Sequence, residues 1–151
     1  MSIFRKVKWS FLLLLIPLVL TLIWFRKGLL YAGGEEGIPF YNLSKTSELS
    51  SRVWLEGNGG LPTIWFLPRA PYFWFLSFLS QNNANTVLPQ ALTFLILMIT
   101  ATVSVYFLVR ETVVSKLKLK SAKNVALLSG IFYLLNPYSM TQIWGRGLYT
   151  Q

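Results

Sequence analysis

The chain has 151 residues, of which 54% are hydrophobic and only 13% charged, with a mean hydropathy of +0.51; soluble domains carry roughly 25% charged residues, so this composition points to a membrane protein. The net charge of +9 comes from basic residues that flank apolar runs, at Arg5-Lys6-Val7-Lys8 and from Arg110 to Lys123, which is the pattern of orientation signals and not of a nucleic-acid surface. With no Cys and no His, disulfides, thiolate or imidazole metal sites, imidazole-ligated haem and His-based triads are excluded within this chain.

In chain order, the uncharged run 9–25 comes first, and it has the length that crosses a bilayer, roughly 17 to 25 residues. Gly28-Leu29-Leu30-Tyr31 is apolar enough to extend it. A basic start and apolar centre also mark signal peptides, but Arg26-Lys27 follow directly and no Ala-x-Ala site comes after the run, so it reads as an uncleaved anchor. A short helix is expected over 46–56, with Leu49, Val53 and Trp54 on one side and Gly57-Asn58-Gly59-Gly60 as its stop. The apolar stretch 61–80 contains Arg69 and Pro62, Pro68 and Pro71. As a span it would also turn the basic cluster 116–123 outward, so residues 71–78 read instead as a short helix in the interface, with Pro71 in its first turn and its rings at headgroup depth. The second span is expected at 87–109 and the third at 125–144, the latter broken at Asn136-Pro137, where the missing amide proton and the ring clash end or kink a helix.

The expected architecture is therefore an all-α integral membrane module, 1–151, with three transmembrane helices, an outer loop 26–86 and an inner basic loop 110–124. Arg5, Lys6 and Lys8 before the first span and Arg110, Lys116, Lys118, Lys120 and Lys123 after the second outvote Arg26 and Lys27, placing the N-terminus in the cytoplasm and the long loop and C-terminus outside.

A connection as long as 26–86 is generally functional or disordered, and its many Trp, Tyr and Phe residues argue against disorder. Glu35 and Glu36 are its sharpest chemical feature. Being adjacent, they cannot face the same way on a helix or strand, so at most one of them is expected to point into a site. A carboxylate near lipid holds its proton to higher pH and can serve as a general base toward a hydroxyl nucleophile. A divalent cation, Mg²⁺ or Mn²⁺, would need further ligands from elsewhere. The plainer reading is a solvated Gly-Gly-Glu-Glu-Gly turn offsetting Arg26 and Lys27. Arg69, beside the aromatic helix, can hold a phosphate at headgroup level by a bidentate contact or simply snorkel, and Arg52 has the same two readings. Asn42-Leu43-Ser44 is a glycosylation sequon.

The succession of a basic anchor, an outer loop opening with Glu36-Gly37-Ile38-Pro39, short aromatic helices, a second span, a Lys-rich inner loop and Tyr133-Leu134-Leu135-Asn136-Pro137-Tyr138 resembles the start of GT-C type membrane glycosyltransferases, in particular the arabinofuranosyltransferase-like and oligosaccharyltransferase-like proteins. That resemblance implies a catalytic base at Glu35 or Glu36, a polyprenyl phosphate- or diphosphate-linked sugar as donor, transfer on the extracytoplasmic face, and a longer protein of which this chain is the N-terminal part. Many members have Asp where this chain has Glu-Glu. The alternative from another class is a non-catalytic membrane subunit or scaffold whose loop packs on a partner subunit. An enzyme requires a cavity open to lipid and water beside the two carboxylates, whereas a scaffold requires a convex aromatic face. A transporter is disfavoured, because no Asp, Glu, Lys or Arg lies inside the three expected spans.

Overall fold

The computed structural model describes residues 11–30, 38–55, 61–62, 64–83, 86–114 and 122–141. Its first element, α1, is Leu12–Phe25. The helix stops where Gly28 takes a φ of +64°, a conformation that favours glycine, and the Gly28 amide closes the end by donating to the Phe25 carbonyl at 2.9 Å. The expected extension through Leu29 and Leu30 is therefore not helical. Inside α1, Pro17 cannot donate to the Leu13 carbonyl, as a residue four positions on normally would.

The loop begins with a 3₁₀ turn, Ile38–Tyr41, and α2, Leu43–Ser50. This helix lies earlier than the expected 46–56. Its start is set by Asn42, whose side-chain oxygen accepts from the Lys45 amide at 2.9 Å, an N-cap bond. Its end is set by serines: the Ser50 and Ser51 hydroxyls both turn back to the Ser47 carbonyl, an alternative to helical continuation. Val53 thus lies beyond the helix, and Trp54 belongs to β1, Trp54–Leu55, which pairs antiparallel with β2, Leu61–Pro62. The four residues of this ribbon are the only extended pairing among the described residues, and the fold is otherwise all-α. A 3₁₀ segment, Ile64–Arg69, leads into α3, Ala70–Asn83. Pro71 sits in its first turn as expected, and the helix continues past Phe78 by more than a turn.

The second expected span is α4, Val87–Val109, with the bounds read from the sequence, followed by a π-helical turn, Arg110–Val114. The third begins earlier than expected, as α5, Ala122–Leu135. It breaks at Asn136, which caps a short α6, Pro137–Met140, by accepting from the Ser139 amide at 3.0 Å.

Helices α1, α4 and α5 pack side by side with alternating direction. At one end Leu13 meets Tyr106, Ala126 and Leu127. At the other, Phe94, Met98 and Leu134 meet Trp24 and Phe25, whose rings stand edge-on to Phe94 at 6.0 and 5.4 Å. The chain therefore runs along α1, back along α4 and forward again along α5. In the middle α4 and α5 nearly touch: a Cβ on Gly130 would lie 2.8 Å from the Thr102 carbonyl oxygen. The Thr102 hydroxyl, bonded to Met98 and Ile99 carbonyls of its own helix, also lies 3.3 Å from the Leu13 carbonyl that Pro17 leaves without its usual donor.

One helical stretch among the described residues, Val87–Val113, is long and apolar enough to cross a membrane, with a mean hydropathy of 2.3 and only 28% of that window buried. A core helix of a soluble protein would be mostly covered. The described parts of α1 and α5 have 14 residues each, about 21 Å at 1.5 Å per residue, which is short of the roughly 30 Å of a bilayer's hydrocarbon core.

Candidate functional site

The loop elements form a small core of their own against the end of the bundle where α4 begins. Phe40 and Leu43 are fully buried there against Phe73 and Leu76 of α3, with Leu30, from the segment after α1, packed on them. Two polar contacts fix the arrangement: the Thr46 hydroxyl donates to the Pro39 carbonyl at 3.0 Å, and the Trp74 indole N–H donates to the Ser51 hydroxyl at 2.8 Å. This core forms one wall of a groove between α3 and α4.

The groove has a volume of about 590 Å³, within the range of small-molecule sites. Its lining is almost wholly apolar, with Phe75 and Leu79 on the α3 side and Ile96 and Leu97 on the α4 side. Phe75, Ile96 and Leu97 are also exposed on the outer surface, so the groove opens onto the apolar flank of α4. Its polar character is confined to Arg69, Tyr72 and Thr93.

Arg69 ends the 3₁₀ segment, half-buried, and lines the groove, which places a cation beside an apolar slot. Tyr72 follows one helical turn later, and its hydroxyl is 2.9 Å from the Thr93 hydroxyl. Because the Thr93 hydroxyl donates to the Pro89 carbonyl at 2.9 Å, and a hydroxyl has one proton to give, Tyr72 is the donor in the Tyr72–Thr93 pair. Neither residue was a candidate from sequence. The available signal was a threonine four residues after a proline inside an apolar span, the spacing at which its hydroxyl bonds back to the chain.

Arg52 lies elsewhere. It pairs with Glu48, which also binds Lys45 at 3.2 Å, all three side chains being about half exposed. The hydrogen bond from Lys45, then the charges of Lys45 and Arg52, hold the Glu48 carboxyl below its ordinary value of 4.5. Arg52 is thus a partner within the loop and not part of the groove. Asn42 of the sequon is exposed and serves as the α2 cap.

Glu35 and Glu36 lie outside the described residues. Leu30 before them and Phe40 after them in the chain both belong to the loop core, and Phe40 lines the groove. No group of three or more acidic side chains that could hold a metal ion occurs among the described residues. No protein-family model, no curated protein and no solved structure matches the chain.

Proposed function

We propose that this chain is the N-terminal part of a GT-C type membrane glycosyltransferase, in which α1, α4 and α5 are three spans, the N-terminus is cytoplasmic and the loop elements α2 and α3 lie on the extracytoplasmic side. In this reading Glu36 or Glu35 takes the proton of an acceptor hydroxyl as its oxygen bonds the anomeric carbon with inversion. The bond from that carbon to the phosphate breaks, and the polyprenyl phosphate leaves, steadied by Arg69. The groove beside Arg69 carries the proposal. It is apolar along its length, cationic at one place, open to the flank of α4 and walled by Phe40, the first core residue after the acidic segment.

The test is transfer of sugar from a polyprenyl phosphate donor by the full-length protein in membranes, with Glu35→Gln, Glu36→Gln and both together. A positioned general base contributes about 10² to 10⁴ in rate, so one single variant and the double variant should lose at least about a hundredfold. Undiminished transfer by the double variant refutes the assignment. A second reading, a non-catalytic scaffold, is favoured by one observation: Trp74, Phe75 and Phe78 of α3 are all more than half exposed, aromatic surface of the kind that meets lipid or a partner subunit.

A further inference from the structure

Resting on the reading that the groove holds a lipid-linked phosphate, we infer that Tyr72 is a second phosphate-binding side chain beside Arg69, and that Thr93 accepts the Tyr72 proton until an anion does, without itself binding the anion. Arg69 and Tyr72 are three residues apart where the 3₁₀ segment passes into α3, a spacing that puts neighbours on one face, and both line the groove. The Tyr72 ring is fixed by the loop core, against which it packs, and its oxygen is anchored 2.9 Å from that of Thr93.

The proton inventory gives the pair a direction. The Thr93 proton is committed to the Pro89 carbonyl, so the Tyr72 proton is the one that can move. Rotation about the phenol C–O bond turns it from Thr93 toward an anion in the groove with no movement of the ring. The exchange trades a hydrogen bond between neutral groups for a charge-assisted one, which is about twice as strong. Thr93 loses one hydrogen bond it was accepting and keeps the one it donates, so no buried donor is stranded.

This assignment makes the two halves of the pair respond in opposite senses. The test uses the full-length protein in phosphatidylcholine nanodiscs and measures equilibrium binding of farnesyl phosphate and of farnesol, which share a chain and differ in the phosphate. Tyr72→Phe should weaken farnesyl phosphate about tenfold and leave farnesol unchanged. Thr93→Val, which keeps the side-chain shape and releases the Tyr72 proton from its partner, should bind farnesyl phosphate as tightly as the parent protein or more tightly. Equal weakening in both variants would mean that the pair is only a latch between α3 and α4, and would overturn the inference, as would a Tyr72→Phe protein that retains full preference for the phosphate. Leu79→Trp separates this from failure of the groove assignment itself: filling the groove should weaken both probes, and if it changes neither, the groove is not the lipid site and the inference falls with it.

Discussion

Replacing Gly130 by Ala tests the closest approach in the bundle. The new methyl carbon would lie 2.8 Å from the Thr102 carbonyl oxygen and 3.2 Å from a Leu13 methyl. The second contact can be relieved by a side-chain rotation, but the first is with backbone and lies about 0.6 Å inside ordinary contact. Either α5 withdraws from α4 or both helices bend. Overpacking of this kind costs about 1 to 3 kcal/mol, while alanine in place of glycine returns about 1 kcal/mol of helix propensity. The expected net loss is therefore about 1 kcal/mol, with Gly130→Val losing more because the larger side chain adds strain and no comparable propensity. The assay is SDS-induced unfolding in mixed micelles, followed by tryptophan fluorescence, since Trp24 packs on Phe94 in the same bundle. If Gly130→Ala unfolds at the same or higher SDS fraction than the parent protein, α4 and α5 do not meet at this point and the packing argument is refuted.

Two further predictions concern the loop and the break after α5. Glu48 titrates below its ordinary value, so its contribution to α2 should be complete above the unfolded-state value near 4.5 and be lost as pH falls through the lower folded-state value; the protection of the Leu43–Ser50 amides, taken relative to their intrinsic exchange rate at each pH, should fall over that interval, and Glu48→Gln should remove the dependence. Asn136→Ala deletes the oxygen that accepts from the Ser139 amide and should cost about 1 kcal/mol in the same SDS titration, with Asn136→Asp, which keeps the acceptor, losing less.

The sequence made some of this legible for reasons visible in single residues. The bounds of α4 follow from an uninterrupted apolar run closed by Arg110, with Pro89 near its start where a missing amide proton costs little. The break at Asn136-Pro137 follows because proline restricts the residue before it, and asparagine there is a strong cap. By contrast, the periodicity of Leu49, Val53 and Trp54 suggests a helix across a stretch where the serines divert their hydroxyls to the backbone and Asn42 has already set the start. Local capping outweighs a weak apolar stripe in an eight-residue helix. The groove could not be read in advance, because Arg69 and Thr93 come together only once α3 folds back along α4.

The apolar interior of the bundle explains why Leu13, Thr102 and Gly130 meet. In an apolar bundle there is no water to satisfy a carbonyl that has lost its helical donor, and Pro17 creates such a group at Leu13. A hydroxyl can approach that group from a neighbouring helix only if the backbones come close, and the Thr102 hydroxyl lies 3.3 Å from it. Gly130 admits α5 to the same spot from the other side, against the Thr102 carbonyl. Pro17, Thr102 and Gly130, each unfavourable or indifferent in an isolated helix, thus become mutually consistent at the crossing where α1, α4 and α5 pack closely. That crossing fixes α4 against both of its neighbours, and α4 supplies the fixed wall on which the loop builds its groove.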